Sequence, residues 1–386
     1  MDVLISGAGV AGPALAYWLR HHGFTPTVIE RAPRARGGGY AVDLRGEALD
    51  VLDRMALLDR VEAVKTPTRG MAMVDRDGDA YAFLPVAGDP RILRDDLSGL
   101  LHEATRHEVE YVFGDSITGL EQDAGGVRAT FERGRPRRFD LVAGADGLHS
   151  RTRRLAFGPE RRFARHLGIH TAVFGLPDHL GLRETGLLYS APGRAAGVLG
   201  VPGAGARAAL HFASGPLGRD RGDPGWHKRV VAERFAGEGW QIPRLLAEMD
   251  RAEDFFFDAN AQIEMDRWSA GRVVLLGDAG HCAAPASGHG PSQALIGAYV
   301  LAGELAAAGG DHAVAFAAYE REMRGFVAEH QQAGREGADR FFLGALIQQE
   351  PGPITAGPIT AGMAQPPRTR LVRLKDYAPG LTTKPR

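Results

Sequence analysis

Residues 3–30 read VLISGAGVAGPALAYWLRHHGFTPTVIE, and this stretch decides the fold. Segment 3–6 is a short apolar run, typical of a buried parallel strand. A G-x-G-x-x-G turn fills residues 7–12, and apolar residues then recur at helical spacing until Gly23 ends the predicted helix. A second apolar run ends at Glu30. This order predicts a Rossmann-like dinucleotide site rather than a merely structural glycine-rich turn.

Each residue of this unit has a physical role at a dinucleotide. Gly7 permits the tight turn, Gly9 lets the backbone approach a pyrophosphate, and Gly12 lets helix and strand pack closely. The N–H groups at the helix start favour phosphate charge, and the Glu30 carboxylate accepts hydrogen bonds from a ribose. Glu30 disfavours a 2′-phosphate, so the motif predicts FAD or NAD without choosing between them. The residues expected at the cofactor here are Gly7, Gly9, Ala11, Gly12, Glu30 and Arg31.

The bulk composition bounds the class of protein. A chain of 386 residues suits about two domains, and a formal net charge of −1 indicates neither a nucleic-acid nor a membrane surface. Cys282 is the single cysteine, which excludes internal disulfides and fits a reducing cytosol. Residues 1–20 lack a basic signal-peptide start, and the most apolar predicted helix, 294–308, carries Glu304 and is too short for a bilayer. We expect a cytoplasmic protein, monomeric or weakly dimeric.

The segment after the first unit supplies further candidates. A loop rich in arginine and glycine, residues 34–39, either covers the adenosine or ribityl part of the cofactor or connects flexibly. Arg45 lies between an extended run at 40–44 and a predicted helix at 47–58. From that position we expect it at the cofactor or the substrate.

A predicted hairpin and a predicted helix come next. The runs 71–74 and 80–84 flank a turn rich in aspartate and glycine, which is a hairpin pattern. Arg94 then stands at the start of a predicted helix, 95–106. A cation is unfavourable at a helix start unless an anion is nearby. An anion-facing role for Arg94 therefore competes with that of a surface arginine.

Two more strand–glycine–helix patterns follow later in the chain. Short β-like runs occur at 109–113, 117–121, 127–131 and 139–143. The last leads into segment 144–153, where Asp146 is a candidate hydrogen-bond acceptor and Ser150 a candidate N-cap. The buried run 272–276 leads into Gly277-Asp278, a glycine- and proline-containing loop, and a long helix that starts near Pro291. A last helix begins near residue 311.

The region between these patterns has a different texture. Extended runs at 169–174, 186–189, 197–201 and 206–212 are separated by Gly and Pro turns, and helices are predicted at 226–236 and 242–249. This alternation predicts an inserted, mostly antiparallel sheet domain. The residues 255–257, all phenylalanine, either line an aromatic-binding pocket or pack in the core. The tail repeats Pro-Ile-Thr-Ala-Gly at 353–357 and 358–362, which indicates a linker.

The predicted class is α/β, with a Rossmann-like dinucleotide-binding domain, an inserted, mostly antiparallel-sheet substrate domain and C-terminal helices. The dinucleotide-binding domain is assigned to 1–70, 91–160 and 266–350, the substrate domain to 71–90 and 161–265, and the C-terminal tail to 351–386.

With three motifs in place, the sequence resembles the group A flavoprotein monooxygenases, the para-hydroxybenzoate hydroxylase-like family. It is similar to the tetracycline-inactivating and polyketide-tailoring members in length and layout. The motifs are Gly7-x-Gly9-x-x-Gly12 with Glu30, Asp146-Gly147-x-x-Ser150-x-x-Arg153, and Gly277-Asp278 with the Pro285 loop. The resemblance covers roughly residues 1–345.

The resemblance implies roles for individual residues. Glu30 would bind the adenosine ribose, Arg94 would sit beside the cofactor, and Asp278 would bind the ribityl chain. The Asp146-Gly147 stretch would support both FAD and reduced nicotinamide. The loop and helix start by the isoalloxazine would comprise Pro285, Gly288, Gly290, Pro291 and Ser292. Serine replaces a common asparagine at 292, and Gly280 replaces a common alanine.

The expected activity is that of an oxidoreductase of antibiotic biosynthesis or inactivation. NADPH or NADH passes hydride to FAD, O2 adds to give a C4a-hydroperoxide, and oxygen goes to a small aromatic or polyketide-like substrate. Epoxidation, Baeyer–Villiger insertion and a non-oxygenase reductase or cyclase remain alternatives.

The flavin carries this chemistry, so no catalytic side chain and no metal site is required. His281, Pro285 and His289 are weak catalytic candidates, and His281 is also weighed as a structural hydrogen-bonding residue. The candidate substrate contacts are Arg45, His211, Phe256 and Pro285.

Overall fold

The computed structural model describes residues 1–34, 39–85, 89–217, 223–347 and 372–377, and for 341–347 the backbone alone. Most of the arginine–glycine loop and the Pro-Ile-Thr-Ala-Gly repeat lie outside the described residues. The strands are β1 Asp2–Ser6, β2 Thr25–Glu30, β3 Ala41–Asp43, β4 Gly70–Val74, β5 Ala80–Pro85, β6 Arg91–Leu93, β7 Glu110–Phe113, β8 Ile117–Asp123, β9 Gly126–Phe131, β10 Arg137–Phe139, β11 Leu141–Gly144, β12 Ala164–Leu176, β13 Thr185–Ala191, β14 Arg194–Val201, β15 Gly205–Ala213, β16 Phe256–Ile263, β17 Ser269–Ala270 and β18 Val273–Leu275. The helices are α1 Ala11–His21, α2 Glu47–Arg54, α3 Leu58–Ala63, α4 Arg94–Thr105, α5 Arg151–Phe157, α6 Pro224–Arg234, α7 Ile242–Arg251, α8 Asp278–His281, α9 Gly290–Ala307 and α10 His312–Ile347, with 3-10 turns at Glu160–Arg162 and Pro285–Ser287.

A six-stranded sheet in the order β17-β18-β11-β1-β2-β7 forms the centre of the first half of the fold. Its five strands from β18 to β7 run parallel, and β17 is antiparallel to β18. The register aligns Leu275, Gly144, Ser6 and Ile29 in one row across β18, β11, β1 and β2. All three glycine motifs and Glu30 therefore leave the sheet at the same carboxyl edge. The predicted α/β class is confirmed.

The helices α1 and α9 fill the main core against this sheet. The helix α9 is buried along almost its entire length, because apolar or small residues occupy every face of it. Gly297 allows the close packing, since a Cβ there would collide with the side chain of Leu276. Among the described helices, none is both long and apolar enough to cross a membrane, and the cytoplasmic location stays a prediction.

A seven-stranded sheet forms the second half, in the order β16-β12-β15-β14-β13-β4-β5. Its neighbours are antiparallel except for the parallel pair β13 and β4. One face packs on α6 and α7 through buried residues that include Phe174, Phe212, Val231 and Leu245. Because side chains alternate along a strand, the neighbours of these residues point to the opposite face.

Two element predictions need correction. The helix predicted at 47–58 is interrupted between Arg54 and Leu58, because Ala56 adopts a left-handed φ of 54°. The strand predicted at 139–143 divides at Asp140 into β10, which pairs with β9, and β11, which pairs with β1. Asp140 accepts a hydrogen bond from the backbone N–H of Asp2 at 2.7 Å, and this bond fixes the division.

Candidate cofactor site

The first glycine turn packs so closely that side chains are excluded at two positions. A Cβ on Gly7, whose φ is 109°, would collide with the backbone of Ala145, and a Cβ on Gly12 would collide with the carbonyl of Gly7. The backbone at Gly9 is open instead, and the nearest atom to a Cβ there is the Arg94 guanidinium at 3.7 Å. The sequence predicted these three roles, and the packing of Gly7 and Gly12 agrees with them.

The start of α1 is built to receive an anion. No side chain caps this helix and no acidic residue lies in its first turn, so its backbone N–H groups and dipole face outward uncompensated. Arg94 adds a cation above Gly9. It is the first residue of α4, and its own N–H donates to the carbonyl of Tyr40 at 3.0 Å. The anion-facing interpretation of Arg94 is therefore favoured over that of a surface arginine.

Glu30 ends β2 beside this turn. Its carboxylate accepts from the N–H of Ala8 at 2.9 Å and from the N–H of Ala32 at 2.8 Å. A carboxylate has about four lone-pair sites, so each oxygen retains capacity for a ribose hydroxyl. Arg31 follows it as an exposed residue.

Asp146 organises the second glycine motif from within. Its carboxylate accepts from the hydroxyl of Ser150 at 2.5 Å and from the N–H and hydroxyl of Thr152 at 2.9 and 3.0 Å. A longer contact of 3.4 Å joins it to the Ser6 hydroxyl at the end of β1. Ser150 caps α5 as predicted, through the N–H of Arg153. The side chain of Asp146 thus joins the first and second motifs.

Asp278 presents its side chain to the cleft at the third motif. It is solvent-exposed, yet so much protein surrounds it that desolvation raises the pKa of its carboxyl. Burial likewise raises the pKa of Tyr40, to about 12, although Arg94 opposes the shift. A group that is both accessible and largely surrounded lines a deep cleft. Asp278, Tyr40 and Arg94 therefore face one cleft at the carboxyl edge of the sheet.

The loop before α9 forms a further wall. Pro285 is exposed, Gly288 has a left-handed φ of 67°, and Gly290 and Pro291 begin the helix. The Ser292 hydroxyl accepts from the N–H of Arg45 at 3.0 Å. As at α1, the helix start has no side-chain cap and no acidic residue in its first turn, so it favours a negative charge.

Arg45 lies against this loop rather than in the open. Its guanidinium pairs with Asp43 at 2.5 Å, and Asp43 also accepts from Arg91 at 2.6 Å. The two arginines hold the pKa of the Asp43 carboxyl below its usual range, against an opposing effect of burial. A Cβ on Gly288 would lie 3.5 Å from Arg45, so the arginine supports the loop.

Neither histidine candidate has the geometry of a general base. Nε2 of His281 lies 2.9 Å from the Tyr319 hydroxyl and Nδ1 lies 2.6 Å from the Gln293 amide, and burial lowers its pKa to about 3. This is the structural role weighed from the sequence. His289 stacks on His330 with ring centroids 4.0 Å apart, and burial lowers its pKa to about 4. Both rings pack towards α9 or α10.

The sequence interpretation missed a polar row on the second sheet. The register places Asp258, Thr171 and His211 side by side on β16, β12 and β15. The Thr171 hydroxyl lies 2.9 Å from Nδ1 of His211 and accepts from the Asn260 amide at 2.9 Å. His211 was a substrate candidate, but Thr171 lies 40 residues from it in sequence and Asn260 lies 89 residues from Thr171, so these pairings give no local signal.

This row faces the cleft. His211 alternates with Phe212, which packs on the opposite face against α6 and α7. Phe256 lies on the row's side of β16, and its ring is 5.9 Å from that of Tyr40. Phe257 points the other way and packs against the second core, which is the core role weighed for this run. The pocket-lining role stays a prediction for Phe256.

The geometry fits FAD. Three parallel strands bring an open glycine backbone with a cation, an acid at the ribose position and an exposed aspartate to one edge.

A sequence model described as "FAD binding domain" matches residues 1–332. The chain belongs to this family, the group A flavoprotein monooxygenases. The resemblance inferred from the three motifs is confirmed, and the chain is an FAD-dependent monooxygenase.

Relatives of this flavoprotein match it over most of both chains. It is 49% identical over 90% of its chain to an uncharacterized protein of Mycobacterium tuberculosis, of which 95% is covered. It is 35% identical to a flavin-dependent monooxygenase of Legionella longbeachae, and the match covers 91% of this chain and 92% of that protein. The crystal structure of the tetracycline destructase Tet(51) superposes with a TM-score of 0.83 at 34% identity, covering 90% of this chain and 92% of that one.

Proposed function

We propose that this flavoprotein uses NADPH or NADH and O2 to hydroxylate an aromatic or polyketide-like substrate. The observation that supports it most is the single row of strand ends that brings three motifs to one edge. FAD supplies the redox chemistry: it accepts hydride from the nicotinamide and activates O2 for transfer. The protein positions the reactants and excludes water.

The chain's own residues divide the work of holding FAD. Glu30 receives the adenosine ribose, and the start of α1 with Gly9 and Arg94 receives the pyrophosphate. Asp278 receives the ribityl hydroxyls. Each role follows from an open donor or acceptor at the carboxyl edge, where ligands of parallel sheets bind.

The second helix start has an electrostatic task. The loop from Pro285 to Gly290 would flank the isoalloxazine, and Ser292 lies in the first turn of α9. The N–H groups and dipole of α9 would stabilise negative charge on the reduced ring system. Ser292 hydrogen-bonds Arg45, so the serine fixes the loop rather than the flavin.

We assign the substrate to the cleft face of the seven-stranded sheet, within the proposed substrate domain of 71–90 and 161–265. Gly197 and Ala209 are register partners on β14 and β15, and Val173 separates them from Phe256 on the same face of the sheet. The low side chains at this pair suit a planar ring system that reaches towards the rings of Phe256 and Tyr40. The polar row of Thr171 and His211 then marks one edge of the bound substrate.

The row holds the ring of His211 through Nδ1. Asn260 donates to the Thr171 hydroxyl, and that hydroxyl shares a hydrogen bond of 2.9 Å with Nδ1 of His211. Burial lowers the pKa of His211 to about 4, and the ring is neutral at pH 7. A neutral imidazole carries one N–H donor, and the substrate we expect carries a carbonyl or phenolic oxygen at this edge.

The exchange Thr171→Val tests the row. Valine keeps the shape but removes the hydroxyl that holds His211, so we expect the substrate KM to rise about fivefold with little change in kcat. Thr118→Val, on the exposed strand β8, is the matched control and should leave both constants unchanged. Equal constants for the wild type and Thr171→Val would remove the row from substrate binding.

The activity itself is tested on the purified protein with a tetracycline as the first polycyclic substrate. A flavin spectrum should bleach on addition of NADPH or NADH and recover under air. Heavy-isotope-labelled O2 should place one labelled oxygen atom in the product. Substrate turnover without labelled product would favour a flavin-dependent reductase or cyclase, and a protein that binds no FAD would overturn the proposal.

A further inference from the structure

His149 joins the second glycine motif to the second sheet. It lies in the loop between β11 and α5, next to the Asp146-Gly147 pair. Nδ1 lies 3.0 Å from a carboxylate oxygen of Glu160, and Nε2 lies 3.0 Å from a carboxylate oxygen of Asp258 on β16. The three side chains are partly exposed, at 38%, 22% and 24% respectively. One imidazole thus bridges two acids from different parts of the fold.

The geometry fixes the charge of this ring. Each nitrogen faces a carboxylate, which accepts hydrogen bonds but cannot donate them when ionised. Both nitrogens must therefore carry protons, and the ring is an imidazolium. The hydrogen bonds to the two carboxylates raise the pKa of His149 to about 9, with that to Asp258 the larger cause.

Both acids that bind His149 also interact with other charged or titratable groups. Glu160 also pairs with the buried Arg153 of α5 at 3.2 Å. Asp258 lies close enough to Tyr40, Asp278 and Cys282 to raise the pKa of each. Asp258 therefore connects His149 to the groups that line the cleft.

We propose that His149, as an imidazolium, is a positioning residue that clamps β16 against the second glycine motif. The clamp holds the strand that carries Phe256 and Asn260 at a fixed distance from the carboxyl edge of the first sheet. The part of the proposal that concerns substrate rests on the proposed function. The clamp itself does not depend on it.

The pH dependence of the clamp has a defined sign. The pKa of His149 in the folded protein is raised above its unfolded value of about 6.5. The stabilisation is therefore complete below about pH 6.5 and is lost as the pH rises through about 9.

The experiment measures the melting temperature of the isolated flavoprotein between pH 6.5 and 10. The variants are His149→Gln, His149→Arg and Asp258→Asn, with the exposed His107→Gln as the matched control. We expect His149→Gln to melt about 2 °C below the wild type at pH 7 and level with it at pH 10. Arginine keeps its charge, so His149→Arg should retain its stability at pH 10.

Two further outcomes decide the assignment. Adding Asp258→Asn to His149→Gln should cost less than the sum of the single effects, because both remove one pair. The clamp would be overturned if the difference in melting temperature between His149→Gln and the wild type stayed constant with pH. It would also be overturned if His149→Arg lost as much melting temperature as His149→Gln. Melting curves need no turnover, so a protein that lacks oxygenase activity can still pass or fail this test. Where turnover is present, substrate KM should rise with pH in the wild type but not in His149→Arg.

Discussion

The exchange Gly12→Ala is expected to cost about 100-fold or more in FAD affinity. The new Cβ would collide with the carbonyl of Gly7, and the backbone of the turn fixes the position of both atoms. A collision with the backbone cannot be relieved by a rotamer change, so a cost of about 3 kcal/mol, the upper end of the usual range for overpacking, is expected in the FAD-binding conformation of the turn. That energy corresponds to about two orders of magnitude in Kd. Fluorescence titration of FAD into the deflavinated variant measures it.

The matched control for this exchange is Gly99→Ala. Gly99 lies on the exposed side of α4, where no atom lies within 4 Å of a built Cβ. Alanine favours a helix by about 1 kcal/mol over glycine, so the control should be slightly stabilised and bind FAD normally. If Gly12→Ala binds FAD within a factor of about three of the control, the glycine turn does not hold the cofactor.

The part of the site that the sequence predicted is the part encoded locally. Strand, turn, helix and acid follow one another within 3–30, and each element depends on neighbours in the chain. The same holds for the runs that end at Gly144 and Leu276. Parallel strands with glycine turns place their ligands at one edge, so three local patterns sufficed for one cofactor site.

The missed residues depend on distant pairing. His149 meets Asp258 across 109 residues, and Thr171 meets Asn260 across 89 residues. Such pairs are set by the register of β16 and by the way the two sheets face each other. Neither of these produces a periodic pattern in the sequence, so the pairs could not be predicted from it. Ala56 is a different case, because a left-handed alanine has no sequence signature of its own.

Two glycines of α10 show how distant elements shape the loop before α9. A Cβ on Gly334 would collide with the carbonyl of Ala283, and one on Gly337 with that of Ala286. The Gln262 amide donates to Ala283 at 3.1 Å and to Gln331 of α10 at 2.6 Å. The loop beside Pro285 is therefore held from the second sheet and from the last helix together. Its conformation is not a property of the loop sequence alone.

Replacing Arg153 by methionine is expected to lower the free energy of unfolding by about 3–5 kcal/mol. The guanidinium is fully buried and donates to the carbonyls of Leu148 at 2.7 Å and Ala279 at 2.8 Å. It also pairs with Glu160 at 3.2 Å. Methionine fills a similar volume but leaves two buried carbonyls without these donors and an acid without this partner. Urea unfolding of the FAD-saturated protein gives the value.

The neighbouring Arg154→Met is the control, since Arg154 is exposed and its loss should change stability by no more than about 0.5 kcal/mol. The Arg153 side chain also links two motifs through hydrogen bonds, because Leu148 belongs to the second motif and Ala279 to the third. The variant should therefore release FAD faster even under conditions in which it is folded. A stability within about 1 kcal/mol of the wild type would show that the two motifs hold their positions without this arginine.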